Sequence, residues 1–188
     1  MSTRGNVVFA NNWYIEDKEL TVKDFINVRP KSWFIKKSYS IYVHSDMYPS
    51  GALPDLQEFL QMNGAKHRAT DPSYLSAWFC AYQAFRMLPF TRSMTDRDFD
   101  YKNCKNPSYE DMKKSDDWFG FGILQNGLSD WAEYSYLIVP KIEIKGQRYD
   151  RENSSFDIYI YDGCFNKFLG MMNTESDIDD YKEASWWY

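Results

Sequence analysis

Two tyrosines, a histidine and an aspartate occupy alternate positions in YVHSDMYPSG, the stretch that covers residues 42–51. On an extended chain, the side chains of His44 and Asp46 would point to the same side, with Tyr48 close by. A histidine beside a carboxylate can bind a metal ion or relay a proton. The same residues can instead form a structural corner, in which Asp46 hydrogen-bonds the backbone of the turn before Pro-Ser-Gly. The residues alone leave both interpretations open.

Other residues that could do chemistry have simpler interpretations. His67 lies in a linker between two predicted helices, where solvation is its expected role. Cys80 stands inside a predicted helix, and we interpret it as a small core residue rather than a nucleophile. The chain carries no HExxH, Walker or GxSxG motif, and the glycines of GFGILQNG match no phosphate-binding loop. We therefore expect no metal and no cofactor, and we favour a protein that does not catalyse a reaction.

Short segments of alternating or continuous apolar residues predict the strands that position these residues. They cover 6–10, 37–46, 119–127, 131–144 and 154–163. The third of these segments ends in Asn-Gly and the fifth in Asp-Gly, which are preferred hairpin turns. A meander is the simplest arrangement of such strands.

Two helices are predicted between the strands. The first covers 54–64, with Pro54 at its start and Gly64 at its end. The second covers 71–89, with Asp71 as N-cap and Pro89 as terminator. Its apolar positions follow helical spacing and are Leu75, Trp78, Phe79, Tyr82 and Phe85.

The order of these elements predicts an α+β fold, with an antiparallel, meander-like sheet and two helices packed on one face. We expect a single domain over 1–173, interrupted by an inserted surface loop at 91–118 that is polar and dense in both signs of charge. Residues 174–188 form an acidic tail with a Trp-Trp-Tyr run. Such a run is expected to bind a partner or to pack against the protein's own core.

Composition narrows the class of protein. A chain of 188 residues is long enough to bury a core, and the aromatic share of 19% supplies large contact surfaces. The formal charge of -5 disfavours a uniformly basic nucleic-acid-binding surface. Nucleic acid is therefore not an expected partner, although the segment 29–39 interleaves basic and aromatic residues as a single-strand platform does.

Cysteine usage and apolar runs suggest where the protein works. Three cysteines without CxxC spacing favour reduced thiols. The opening residues lack the basic and apolar regions of a signal peptide, so we expect a cytoplasmic setting. The longest weakly polar run is too short to cross a bilayer, and no membrane association is expected.

Short motifs occur along the chain: STRG near its start, YVHSDMYPSG leading into LPDLQEFL, and later GFGI and AEYSYLIV. In these motifs the chain resembles a set of small proteins of bacteriophages and prophages. Those proteins typically begin M-x-x-R-G and carry a histidine or similar residue, a D-x-Y-P-x-G corner and a helix after it. The resemblance leaves out 91–118 and the acidic tail. The positions that match its pattern are Arg4, Gly5, His44, Asp46, Tyr48, Pro49 and Gly51.

The resemblance implies a phage accessory protein that works in the cytoplasm of the infected bacterial host. Its expected partner is a bacterial host protein, in particular a defence component such as a nucleic-acid-binding one. The protein would inhibit this partner without catalysis, as an anti-CRISPR or other anti-immunity protein. The alternative is a binder or hydrolase of a small molecule or nucleotide signal that uses His44, Asp46 and Tyr48. The expected binding residues are Arg4, His44, Asp46, Tyr48, Trp186, Trp187 and Tyr188.

Overall fold

The computed structural model describes residues 3–10, 38–44, 46–95, 120–124, 127–145 and 148–176. They form six strands and three helices. The strands are β1 (Gly5–Phe9), β2 (Tyr39–Val43), β3 (Phe121–Leu124), β4 (Tyr134–Lys145), β5 (Arg148–Asp162) and β6 (Lys167–Asn173). The helices are α1 (Pro49–Gln61), α2 (Asn63–His67) and α3 (Pro72–Thr95).

The six strands form one sheet in the order β3-β2-β1-β4-β5-β6. All neighbouring strands are antiparallel except β1 and β4, which run parallel in the middle of the sheet. The α+β class and the mostly antiparallel sheet are thus confirmed. The simple meander is wrong, because β3 pairs with β2 rather than with β4, which follows it in the chain. A parallel pair needs a long crossover connection, and the segment between β1 and β4 contains β2, β3 and all three helices.

Helix α1 begins five residues earlier than predicted. Tyr48 is its N-cap, Pro49 takes the first helical position, and Pro54 lies inside the helix. Proline suits the first position because the missing N–H has no partner there in any helix. The Pro-Ser-Gly corner is therefore the first turn of α1. Gly64 lies within the short helix α2 rather than ending α1, which stops at Gln61.

Helix α3 starts as predicted and ends later. The Asp71 carboxylate caps it by accepting hydrogen bonds from the Tyr74 N–H at 3.0 Å and the Ser73 hydroxyl at 2.6 Å. These bonds lower the pKa of Asp71. Pro89 does not end the helix, which continues to Thr95. The first five residues of the predicted 91–118 loop are thus helical, and the remaining ones lie outside the described residues.

Buried side chains divide into two clusters by sheet face. The first joins apolar residues of all three helices to alternate residues of the sheet, including Phe9, Tyr136 and Ile158. The second contains the intervening positions, including Val8, Leu137 and Tyr159. Period-two alternation therefore places apolar residues on both faces of β1, β4 and β5.

The hairpin predicted at Asp-Gly joins β5 to β6. Gly163 and Phe165 both adopt the left-handed region, with φ of 59° and 56°. The Asn166 N–H closes the loop on the Asp162 carbonyl at 3.0 Å. This confirms the turn signal at the end of the fifth predicted strand.

Candidate functional site

The corner after β2 does not continue the strand. β2 ends at Val43, and Asp46 has a φ of 58° in the left-handed region. The regular alternation of the strand therefore stops before Asp46. The expectation that His44 and Asp46 point to the same side is wrong, because it assumed an extended chain up to Asp46. Asp46 and Tyr48 are exposed, whereas His44 is half-buried. The Tyr42 hydroxyl and the His44 Nδ1 are 3.2 Å apart and hydrogen bonded.

Backbone contacts fix this corner to the start of β1. The N–H of the buried Met47 donates to the Thr3 carbonyl at 3.2 Å. The hydroxyl of the fully buried Tyr136 donates to the Met47 carbonyl at 2.6 Å. Gly5 allows the close approach, since a Cβ there would lie 2.7 Å from the Met47 Cβ. These contacts support the structural interpretation of the corner.

Replacing Tyr136 by phenylalanine tests this interpretation. We expect a loss of about 1–3 kcal/mol in the free energy of unfolding, because the buried Met47 carbonyl loses its side-chain donor. Urea unfolding followed by circular dichroism measures the change. Tyr42→Phe is the matched control, and its half-buried hydroxyl should contribute less. Equal losses in the two variants would contradict the assigned role of Tyr136.

The D-x-Y-P-x-G spacing also has a local structural reason. The Tyr48 carbonyl accepts hydrogen bonds from the N–H groups of Gly51 and Ala52, both at 2.9 Å. A Cβ at Gly51 would lie 2.7 Å from the Asp46 carbonyl oxygen. The aspartate backbone thus turns directly over the first turn of α1. Only a residue without a side chain fits at position 51 in this geometry.

Arg4 lies at the same end of the sheet as the corner. Gly5, the next residue, pairs with Val43 of β2 and Tyr134 of β4. The Arg4 carbonyl accepts from the Glu133 N–H at 2.9 Å. The structure therefore brings Arg4, His44, Asp46 and Tyr48 to one end of the sheet.

The structure does not bring His67 to this end of the sheet. The neighbouring Lys66 pairs with Glu175 at 2.9 Å, just beyond β6. Thr174, next to Glu175, donates its backbone N–H to the Phe156 carbonyl of β5. The corner instead lies near Tyr134, which pairs with Asp162 at the other end of β5. Within the described ranges, no three His, Cys, Asp or Glu side chains form a group that could hold a metal ion.

Two further predictions concern other parts of the chain. Cys80 packs partly buried against the first core cluster, and burial raises the pKa of its thiol. A raised pKa disfavours the thiolate that a nucleophile needs. Trp186, Trp187 and Tyr188 lie outside the described residues, as do residues 29–37 of the basic and aromatic strip.

An apolar groove between α1 and α3 was missed by the sequence analysis. Its volume is about 380 Å³. Two of its residues are unusually accessible for large apolar side chains: Trp78 is 38% exposed and Phe85 is 59% exposed. Its lining residues are Phe59, Met62, Trp78, Ala81, Tyr82 and Phe85. We call this feature the α1–α3 groove.

Neighbouring residues hold the walls of the α1–α3 groove in place. The Trp78 ring lies directly on Gly64, where any Cβ would overlap it, and stacks on Tyr74 at 5.7 Å. The Tyr82 hydroxyl donates to Glu58 Oε2 at 2.9 Å and so links α3 to α1. Burial and this carboxylate raise the pKa of the Tyr82 hydroxyl above its ordinary value.

A salt bridge adds a second link between the helices. Arg86 of α3 pairs with Asp55 of α1, and its guanidinium lies 5.6 Å from the centre of the Tyr82 ring. Burial raises the pKa of the Asp55 carboxyl, although Arg86 opposes the shift. The α1–α3 groove therefore has an apolar floor and a charged rim, as binding surfaces on proteins commonly do.

The apolar pattern of α3 contained a signal for the α1–α3 groove. Leu75 and Phe79 are buried in the first core cluster. Trp78 and Phe85 lie seven residues apart on an adjacent stripe of the same helix. A core-facing helix needs only one stripe, so the second one was available for binding.

Comparisons with known proteins give no assignment, so the function is argued from the structure of the chain. The comparisons found no matching protein family, curated protein or solved structure. No helix in the described part of the chain has both the length and the apolar character needed to span a membrane. The α1–α3 groove and the corner are therefore the two sites to compare.

Proposed function

We propose that this protein binds another protein, without catalysis, through the α1–α3 groove. The observation that carries the proposal is an open apolar groove between α1 and α3, with Trp78 and Phe85 accessible on one wall. A hydrogen bond and a salt bridge link the two helices. Grooves of this kind accept the apolar face of a partner segment. Tryptophan and tyrosine are also typical residues of binding hot spots.

The partner in this proposal is a bacterial host protein in the cytoplasm of a cell infected by phage. The resemblance to phage and prophage proteins supports that setting, and a defence component is the partner class that it favours. The net charge of -5 fits a target that normally binds nucleic acid, since a negative surface can compete for a basic groove. Inhibition would follow from occlusion of the target.

The alternative function places a small molecule or nucleotide signal at His44, Asp46 and Tyr48. The hydrogen bond between Tyr42 and His44 supports it, because it holds the imidazole in a defined orientation. The structural contacts of the corner favour the groove instead. The two functions make opposite predictions for single substitutions.

Substituting Phe85 by glutamate should weaken partner binding by about 30-fold or more, because a charge replaces an exposed apolar anchor. His44→Ala should leave binding unchanged. Native mass spectrometry of the tagged protein, isolated gently from a bacterial lysate, identifies the bound partner, and calorimetry then measures the affinity. Ile123→Glu is the matched control, since Ile123 is 72% exposed and lies outside the α1–α3 groove.

The reverse pattern would overturn the proposal. If His44→Ala removes a bound small molecule and Phe85→Glu binds as the wild type does, the corner is the functional site. Thermal unfolding of each variant shows whether a loss reflects binding or stability.

A further inference from the structure

The chain leaves the described fold beside α1. The Thr174 carbonyl accepts from the side-chain amides of Gln57 at 3.1 Å and Gln61 at 2.6 Å. The Ser176 carbonyl accepts from the Gln57 amide at 2.8 Å. These three hydrogen bonds hold residues 174–176, which directly precede the segment 177–188, against the helix that forms one wall of the α1–α3 groove.

The distance to the groove is short compared with the reach of this segment. Gln61 directly precedes Met62, which lines the α1–α3 groove. Trp186 lies ten positions after Ser176, a stretch that spans roughly 33 Å when extended. The whole of α1, with 13 residues, is only about 20 Å long. The Trp-Trp-Tyr run at 186–188 can therefore reach any part of the groove.

The segment is acidic before its aromatic run, and an exposed cation lies near the groove. Its sequence, DIDDYKEASWWY, carries four acidic residues and one lysine before the aromatic run. Arg68 is exposed and lies 5.0 Å from the centre of the Tyr74 ring. Tyr74 in turn stacks on Trp78 of the groove wall. A cation thus lies near the Trp78 wall of the groove, whereas the Glu58 carboxylate lies at Tyr82, so the rim would attract an acidic segment only at the Arg68 end.

We propose that in the free protein Trp186 and Trp187 of the same chain occupy the α1–α3 groove. The aromatic run acts as an internal ligand that an incoming partner displaces. This regulatory role rests on the proposed function, whereas the contact itself rests on the position of Ser176, the reach of the segment and the apolar lining of the groove. Because occupancy needs no partner, it is testable on the purified protein alone.

Fluorine NMR of the full chain labelled with 5-fluorotryptophan tests the contact. Trp186→Phe and Trp187→Phe assign the two resonances, and a labelled synthetic peptide of residues 177–188 gives their free values. A soluble gadolinium chelate measures the exposure of each indole. We expect both resonances to differ from the free values and to be protected from the chelate, at every protein concentration.

Groove substitutions then locate the contact. Phe85→Glu should move both resonances to the free values and remove their protection, whereas Ile123→Glu, an exposed apolar position outside the groove, should not. Free values in the wild type would overturn the proposal. Protection that persists in Phe85→Glu would place the aromatic run elsewhere, and protection that rises with concentration would assign the groove to a second copy of the chain.

The two proposals can fail separately. Unprotected tail resonances together with a partner that Phe85→Glu loses would remove the internal ligand and keep the proposed function. A protected tail with no partner sensitive to Phe85→Glu would do the opposite.

Discussion

Replacing Phe79 by alanine is expected to lower the free energy of unfolding by about 3–5 kcal/mol. Phe79 is 1% exposed and lies where α3 meets both α1 and the sheet. Its ring contacts Phe59 and Phe9 edge to face, with centroid distances of 5.2 Å and 5.8 Å. Truncation would leave a cavity among rings that cannot collapse to fill it. Urea or thermal unfolding measures the loss.

Phe85→Ala is the matched control, because it makes the same change on the same helix. Phe85 is 59% exposed, and its truncation should change the stability by no more than about 0.5 kcal/mol. The pair separates the two stripes of α3: Phe79 supports the fold and Phe85 is available for binding. A loss at Phe85 as large as that at Phe79 would show that the α1–α3 groove is part of the core, and the proposed function would lose its main support.

Replacing Gly51 by alanine should destabilise the protein by about 1–3 kcal/mol, the usual range for overpacking. The new Cβ would lie 2.7 Å from the Asp46 carbonyl oxygen, which is backbone and held by the corner. Helix propensity predicts the opposite sign, since alanine is favoured over glycine by about 1 kcal/mol inside a helix. The sign of the change in urea unfolding therefore tests the close approach directly.

Gly122→Ala provides the comparison for this experiment. Gly122 lies in β3, and a Cβ there would meet no atom within 4 Å. This substitution should be neutral or stabilise by about 0.5–1 kcal/mol, because alanine loses less backbone entropy than glycine on folding. Stabilisation by Gly51→Ala would mean that the corner relaxes, and the structural explanation of the D-x-Y-P-x-G spacing would then be wrong.

The corner, but not the groove, contains residues of the sequence pattern on which the proposed resemblance to phage proteins rests. Gly5 and Gly51 belong to the matching pattern, and each is explained by a close backbone or side-chain approach. Trp78 and Phe85 belong to no part of that pattern.

The sequence predicted the residues of the corner as a candidate site but did not predict the groove. The sequence pointed to Arg4, His44, Asp46 and Tyr48, and the structure gathers them at one end of the sheet. It did not reveal that Tyr136, remote in the chain, holds the corner through the Met47 carbonyl. It also grouped Trp78 and Phe85 with the other apolar positions of the helix, because helical spacing cannot tell which of two apolar stripes faces another helix.

Many helices, strands and turns of this protein were predictable from the sequence alone, because they depend on interactions between residues close in the chain. Alternating or continuous apolar residues marked β1, β2, β4 and β5, Asp71 marked the start of α3, and Asp-Gly marked the last hairpin. Each of these signals acts between residues that are close in the chain. The α+β class followed from their order.

Only the tertiary structure decided how these elements are joined. The parallel pairing of β1 with β4, the position of β3 beside β2, and the groove between α1 and α3 all depend on residues far apart in the chain. A strand's alternation specifies which faces are apolar but not which neighbour it pairs with. The exposure of Phe85 likewise depends on where α1 lies, because a side chain is buried only by what packs against it.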